Sequence, residues 1–207
     1  MGTLSATSAR ISSHDLAIDA ATETLGRRRA VERLVLDQMR VAAWDRLLFV
    51  ECGDGWVVEE VWRRMGKGCV WGLSTSPQLV ELAVRLRGIP GRLEFKAWGG
   101  GGDRFPLPDR SFDGVISCVP LTSYLEPAAV LCEMARVLRL DGDAHLLEFE
   151  PSSAKIPQAA PVADLGGLLV NTGLKEVGRN RCETALRGQE DRGTPVVIHA
   201  RRRPPGT

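Results

Sequence analysis

The stretch RLLFVECGDGWVVEEVWRRMGKGCVWGLSTSP, residues 46–77, decides the fold. Two apolar runs, residues 46–50 and 69–74, enclose a segment with the periodicity of a helix. Glycines follow the first run at Gly53 and Gly55, where a strand turns into a helix. Continuous apolar runs joined by helices are typical of parallel strands that are buried on both faces. The stretch therefore predicts one β-α-β unit of a parallel sheet.

The same alternation of short apolar runs and helical patterns continues to the end of the chain. The order β-α-β-α-β-β-α-β-α-β-β predicts an α/β fold with a doubly wound, seven-stranded, mostly parallel sheet. Helices cover both faces, and the last strands form an antiparallel end. The further strands are expected near residues 92–98, 112–119, 143–150, 175–185 and 194–202.

The pattern divides the chain into three parts. Residues 1–43 form a polar N-terminal tail followed by a helical extension with apolar positions from about residue 14. Residues 44–200 form the α/β domain, and residues 201–207 form a basic tail that is expected to be loose by itself. The arginine run at residues 27–29 is interpreted as a solvated helix face rather than a binding patch.

Composition narrows the class of protein. The chain has 207 residues, 43% hydrophobic and 26% charged, with a net charge of +1, so charge predicts no nucleic-acid partner. The apolar runs are far shorter than the ~20 residues of a membrane span, and the N-terminus shows no secretory signal pattern. The five cysteines are widely spaced without a CxxC pair, which argues against disulfides and a zinc site. We expect a cytoplasmic protein, with a position peripheral to a membrane-bound assembly as the alternative.

The loop after the first predicted strand is the first candidate site. Gly53 and Gly55 would let the backbone approach a ligand closely at the start of a helix. The carboxylate of Glu51 would accept hydrogen bonds from a ligand's amino group or from loop amides. The alternative is a tight strand-to-helix turn without a ligand.

In order and spacing, these motifs resemble the class I S-adenosylmethionine-dependent methyltransferases of the small, single-domain kind. The resemblance covers roughly residues 44–200 and implies a Rossmann-like methyltransferase fold with S-adenosylmethionine as the cofactor. It rests on the pattern Glu51-x-Gly53-x-Gly55 and on residues 72–83, 105–115, 135–151 and 168–177. The cofactor-binding candidates that it implies are Glu51, Gly53, Gly55, Ser74 and Asp103.

The glycine loop departs from the family pattern of an acid followed by three alternate glycines. Val57 stands at the third glycine position, and a β-branched side chain there is expected to crowd the loop that receives the cofactor. A second register of the same motif places Phe49 at the acid and Glu51 at the first glycine. The first register is preferred because it puts Ser74 at the usual distance without a gap.

Two further departures concern acids that the family uses to hold the cofactor. Ser74 stands where a carboxylate accepts hydrogen bonds from both ribose hydroxyls, and a serine offers roughly 1 kcal/mol against roughly 1.5–3 for a charged acceptor. This exchange weakens binding by about tenfold or somewhat more. The acid expected near the adenine amino group falls at Gly101, and Asp103 is the available substitute. The glycine run at residues 99–102 is interpreted either as a mobile adenine-side loop or as an eroded binding loop.

The loop at residues 117–127 is where the family places substrate and catalytic groups. Tyr124 and Glu126 are the candidates for a general base there. His145 and His199 lie in strand patterns and are interpreted as structural. The loop lacks the Asn-Pro-Pro-aromatic motif of nucleic-acid amino methylation, so that substrate class is disfavoured. Methyl transfer to a good nucleophile needs proximity and alignment first, so a missing base does not exclude activity.

Three functions remain open. The departures at Val57, Ser74 and Gly101 fall on separate walls of one expected pocket, which favours a pseudoenzyme: a methyltransferase-fold protein with an eroded cofactor site and no bound cofactor, serving as a structural subunit of a larger protein complex. That complex would be held through the two termini, and the basic tail would face an anionic surface. The alternative is an active S-adenosylmethionine-dependent methyltransferase acting on a small molecule. A third hypothesis is a binding module that uses the same pocket for another ligand.

Overall fold

The computed structural model describes residues 13–150, 164–182 and 194–204, and the side chains of the first helix from residue 25 onward. The elements follow the order predicted from the sequence. They are α1 (Ser13–Gln38), β1 (Arg46–Val50), α2 (Trp56–Met65), β2 (Cys69–Ser74), α3 (Pro77–Arg87), β3 (Leu93–Ala97), β4 (Phe112–Ser117), a 3-10 helix (Leu121–Ser123), α4 (Pro127–Val137), β5 (Leu138–Glu150), α5 (Leu165–Asn171), β6 (Leu174–Arg181) and β7 (Thr194–Arg202).

One seven-stranded sheet organises the described part of the chain. Its strand order is β3-β2-β1-β4-β5-β7-β6. The first five strands in this order are parallel, whereas β7 runs antiparallel to β5 and to β6. The order reverses at β1, between β2 and β4, which makes the carboxyl end of β1 the switch point. The prediction of a doubly wound, mostly parallel sheet with an antiparallel end is confirmed.

Helices cover both faces of the sheet, as predicted. One face packs against α1, α2 and α3 and contains a core cluster around Phe49, Val57 and Val70. The other face packs against α4, α5 and the loop after β3, in a second cluster that includes Leu131 and Phe105. Strands β1 and β4 lie in the middle of the sheet and contribute to both clusters, so their ends are held rigidly.

Local signals fix where the helices begin and end. The chain enters α2 through Gly55 with φ 78° and leaves it through Gly66 with φ 79°, and the Gly66 amide donates to Trp62 O. A left-handed glycine after the last helical turn is a common helix stop. Helix α3 begins with the Ser76 side chain accepting from Leu79 N and with Pro77 in the first turn.

The ends of the domain differ from the prediction. Helix α1 ends at Gln38 rather than near residue 43. Strand β7 continues through Arg201 and Arg202, because both residues pair with β6. The start of the predicted loose tail therefore belongs to the sheet. Residues 1–12 and 205–207, on which the predicted partner contacts fall, lie outside the described residues. Among the residues described, no helix combines the length and apolar character that crossing a membrane requires.

Candidate functional site

A cavity of about 410 Å³ lies at the carboxyl ends of the parallel strands, beside the switch point. Four strand ends and one helix supply its walls. They are Glu51 after β1, Thr75 after β2, residues 99–101 after β3, Val119 and residues 123–125 after β4, and Arg28 of α1. Its position is the one where α/β sheets bind ligands, and its volume is within the usual range of small-molecule sites.

Glu51 lies at the centre of this cavity wall. Its Oε1 accepts from Thr75 N at 3.1 Å and from Trp98 Nε1 at 3.1 Å, and its Oε2 accepts from Ser74 Oγ at 3.4 Å. Its backbone has φ 56°, a left-handed value that favours glycine. This backbone is what the second register of the motif expects, since that register puts Glu51 at a glycine position. The same register puts Phe49 at the position of the acid. Phe49 is fully buried in the core, so this position supplies no carboxylate to the cavity.

The glycine loop allows close packing on two sides. A Cβ atom on Gly53 would lie 2.6 Å from Cζ of Arg28, and one on Gly55 would lie 2.6 Å from Cε1 of Phe95. Both glycines also have positive φ. The loop therefore needs glycine at both positions, and the guanidinium of Arg28 lies directly over Gly53.

Arg28 brings a positive charge to the cavity. Its NH2 group donates to Glu51 O at 2.6 Å, and its Nε donates to Oε1 of Glu32 at 2.9 Å. Glu32 is 2% exposed, and this burial raises its pKa although the bond to Arg28 opposes the rise. Burial is the largest single influence on Arg28 and lowers its pKa, but the hydrogen bond and the charge of Glu32, together with smaller contributions from Cys118 and Cys52, raise the pKa of Arg28 on balance. The interpretation of residues 27–29 as a solvated face is thus wrong for Arg28.

Val57 does not crowd the site. It is fully buried in the core between α2 and the sheet and is not part of the cavity wall. The neighbouring Trp56 packs against α1, with the guanidinium carbons of Arg29 and Arg33 at 5.5 and 5.2 Å from its ring centroid. The expectation of a blocked glycine loop is therefore wrong.

Ser74 lies behind the cavity wall. It is 1% exposed, and its Oγ donates to Glu51 and accepts from Ser76 N at 3.2 Å. Both hydrogen-bond partners of the Ser74 hydroxyl belong to the loops behind the cavity, so this hydroxyl supports the carboxylate of Glu51 and does not face the cavity.

The loop after β3 forms the far end of the cavity. Gly100 and Gly101 line it with φ values of 80° and 56°. Asp103 does not line the cavity. Its side chain packs closely over Gly99, and its amide donates to Gly100 O at 3.1 Å. The structure thus assigns Asp103 to shaping this glycine loop rather than to the cavity wall.

Tyr124 lies in the wall near the end of β4, whereas Glu126 does not line the cavity. The Ser117 hydroxyl donates to Val119 O at 2.8 Å and lies 2.8 Å from the Tyr124 hydroxyl. Because Ser117 has one proton to give, Tyr124 donates to Ser117. Burial raises the pKa of Tyr124 against this hydrogen bond, so the phenol stays protonated and is a poor general base. Glu126 precedes α4, and its Oε2 lies near Gly102.

Two groups near the site were not singled out from the sequence. Arg28 reaches the cavity through the docking of α1, which no local motif announces. Glu148 is 7% exposed on β5 and accepts from Leu121 N at 2.8 Å, so it holds the 3-10 helix that supports Tyr124. Burial raises the pKa of Glu148. Burial likewise raises the pKa of Cys52 to about 12, which leaves that thiol protonated.

A larger cavity, of about 580 Å³, lies at the opposite edge of the sheet and is lined by residues that include Arg110, Lys175 and Arg202. It adjoins the amino ends of the parallel strands, away from the switch point, so the smaller cavity is the better candidate. Within residues 25–150, 164–182 and 194–204, no group of three or more His, Cys, Asp or Glu is arranged to hold a metal ion.

Part of the chain matches a known family. A family model described as "Methyltransferase domain" matches residues 48–146. The demethylmenaquinone methyltransferase of Deinococcus radiodurans is 32% identical over 53% of this chain and 45% of its own length. The ubiquinone/menaquinone biosynthesis C-methyltransferase of Xylella fastidiosa is 29% identical over 64% of this chain and 53% of its own length. The chain thus spans about half the length of these relatives.

Solved structures agree in fold. A chain of the complex between the Haloferax volcanii Trm112 methyltransferase activator and a methyltransferase matches with a TM-score of 0.72 and 20% identity, covering 95% of this chain and 100% of that chain. The [4+2]-cyclase SpnF matches with a TM-score of 0.68 and 20% identity, over 85% of this chain and 81% of that chain. At these identities the likeness concerns the fold, and the cyclase shows that the fold alone does not decide the reaction.

The match to the methyltransferase domain over residues 48–146 supports the resemblance to the class I S-adenosylmethionine-dependent methyltransferases. The sheet order and the solved structures show that this chain has their Rossmann-like fold. The relatives that match are named as methyltransferases. The comparisons therefore support the active methyltransferase better than the non-catalytic subunit that the sequence favoured.

Proposed function

We propose that the chain binds S-adenosylmethionine in the cavity at the switch point and transfers its methyl group to a small molecule. One observation carries the proposal. The cavity is bounded by the carboxylate of Glu51, the glycine run at residues 99–101 and the guanidinium of Arg28, while Val57 is turned into the core. The side chain that was expected to block the site is absent from it.

The order of groups along the cavity fits an elongated cofactor. Residues 99–101 lie at the end of β3, Glu51 and Thr75 at the ends of β1 and β2, and Arg28 beyond them over Gly53. A flat adenine suits the glycine run because backbone without side chains allows close approach. The carboxylate of the methionine part suits Arg28, since a guanidinium binds carboxylates in a charge-assisted way.

The wall near the end of β4 suits the methyl acceptor. Val119 and Tyr124 lie in it, and Leu125 is 91% exposed at its edge. An exposed leucine beside a cavity favours an apolar acceptor, because burial of its surface would stabilise the complex. One relative is named a ubiquinone/menaquinone biosynthesis C-methyltransferase and the other a demethylmenaquinone methyltransferase, which supports a quinone-type acceptor as the first class to examine.

The residues that line the cavity provide binding and alignment rather than proton transfer. When bound, S-adenosylmethionine supplies a sulfonium methyl group that is transferred to a nucleophile. Tyr124 keeps its proton for Ser117, and Glu51 is held by three donors. The acceptor must therefore be a good nucleophile by itself, for which correct orientation supplies much of the rate.

Calorimetric titration with S-adenosylmethionine and S-adenosylhomocysteine tests the proposal. We expect dissociation constants near or below ~10 μM and a loss of at least about tenfold in Glu51→Ala. Glu126→Gln is the matched control, because this carboxylate is nearby but does not line the cavity. A folded sample that gives no heat with millimolar ligand would contradict the proposal and restore the non-catalytic subunit.

A further inference from the structure

The carboxylate of Glu51 points toward the carboxyl end of the neighbouring strand β2. Its three hydrogen-bond donors, Ser74 Oγ, Thr75 N and Trp98 Nε1, come from the ends of β2 and β3 and not from the loop of Glu51 itself. These bonds hold both oxygens between the carboxyl ends of β1 and β2. Glu51, which follows β1, therefore places its carboxylate where the side chain of an acid at the end of β2 would lie.

The residue at the end of β2 cannot fill that place. In doubly wound sheets with a glycine loop after the first strand, an acid about one β-α unit later accepts hydrogen bonds from a ribose hydroxyl. Ser74 stands at this position, is 1% exposed and uses its hydroxyl for Glu51 and Ser76 N. The acid is missing from β2, and a carboxylate from β1 lies beside the gap.

The backbone gives an independent sign that Glu51 has a role. A glutamate at φ 56° is strained, and such strain persists where the surroundings impose it, most often at functional sites. Arg28 donates to Glu51 O at 2.6 Å, so the backbone is fixed from the opposite side to the carboxylate. Glycine at position 51 would form the same loop without strain. A turn that binds no ligand therefore gives no reason for a glutamate side chain at this position.

We propose that Glu51 is the ribose-binding carboxylate of this site and replaces the acid that Ser74 lacks. The inference rests on the proposed function, because it requires a ligand that contains adenosine. A carboxylate has about four acceptor positions, and Ser74, Thr75 and Trp98 use three of them. The remaining position accepts a ribose hydroxyl, and the bond from Ser74, the longest of the three at 3.4 Å, is the one that a second hydroxyl would displace.

Moving the carboxylate back to β2 tests this assignment. Affinity for S-adenosylhomocysteine is measured by calorimetry in the full chain and in Glu51→Gly, Ser74→Asp and the double variant. We expect Glu51→Gly to bind about tenfold more weakly or worse and the double variant to regain most of that loss. The thermal midpoint of each variant is measured as well, because glycine relieves the left-handed backbone whereas Ser74 Oγ, Thr75 N and Trp98 Nε1 lose their acceptor in Glu51→Gly.

A pair of small probes separates ribose recognition from other losses. Adenosine and 3′-deoxyadenosine compete for the site, and the full chain should prefer adenosine by about tenfold. This preference should disappear in Glu51→Gly, persist in the Glu126→Gln control and return in the double variant.

The outcomes distinguish the two proposals. If the unaltered chain binds no S-adenosylhomocysteine, the proposed function fails and this inference fails with it. If the unaltered chain binds but Glu51→Gly binds equally well, or keeps the preference for adenosine, the inference alone is overturned. A double variant that stays as weak as Glu51→Gly also overturns it, provided that its unfolding transition shows a folded protein.

Discussion

Val57 offers a test of the register of the glycine loop, because the first register puts a glycine of the family pattern at position 57, whereas in the second register the glycine positions end at Gly55. Val57 is fully buried in the core cluster between α2 and the sheet. Val57→Ala removes two methyl groups at about 0.8 kcal/mol each and leaves a small cavity, partly offset by the better helix propensity of alanine. We expect the free energy of unfolding to fall by about 2 kcal/mol.

Urea denaturation measures this loss, and calorimetry with S-adenosylhomocysteine measures the accompanying affinity. Val84→Ala is the control, since Val84 is 50% exposed on α3 and its truncation should cost less than about 0.5 kcal/mol. Affinity should stay within about threefold of the unaltered chain, because Val57 does not line the cavity. An affinity gain of tenfold with little loss of stability would refute the reasoning and show that Val57 crowds the cofactor.

Three further predictions concern side chains around the site and the sheet. Tyr124→Phe loses the bond to Ser117 and should destabilise the fold by about 1 kcal/mol in urea; an altered pH-rate profile below pH ~9 would contradict the protonated phenol. Burial lowers the pKa of His145 to about 4, so the unfolded chain binds the extra proton between pH ~6.5 and 4 and stability falls as the pH drops through this window. Urea midpoints across it should fall less steeply in His145→Gln, and equal slopes would exclude this origin. Arg28→Met should lower both stability and affinity for S-adenosylhomocysteine, because it leaves the buried carboxylate of Glu32 unpaired. The double variant Arg28→Met, Glu32→Gln removes that charge and should recover stability but not affinity. Recovery of affinity in calorimetry would exclude Arg28 as a ligand contact.

The fold was predictable from the sequence because its signals are local. The apolar runs of β1 and β2, the glycines around α2 and the Ser76-Pro77 start of α3 each act within a few residues. Together they gave the correct element order and the antiparallel end of the sheet. The last strand was expected at residues 194–202, where β7 lies, but the boundary of the domain was drawn at residue 200 because Arg201 and Arg202 look like part of a basic tail, and their pairing with β6 is a long-range contact.

The site was harder to predict because its geometry depends on contacts between distant elements. The first register matches position 57 to a glycine of the family pattern, but the backbone of Glu51 fits the second register, and the packing of α2 against the sheet buries Val57 in the core. Glu51 lines the cavity, but the direction of its carboxylate is set by Thr75 and Trp98, 24 and 47 residues away. Arg28 enters through α1, and nothing near it in sequence distinguishes it from its two arginine neighbours.

A crystal structure with S-adenosylhomocysteine bound would show whether Glu51 holds the ribose. We expect the adenine against the glycine run at residues 99–101, the ribose hydroxyls within hydrogen-bond distance of the Glu51 carboxylate, and the amino-acid end beside Arg28. A ligand whose ribose hydroxyls bind Asp103 or solvent, with Glu51 still bonded solely to Ser74, Thr75 and Trp98, would contradict it.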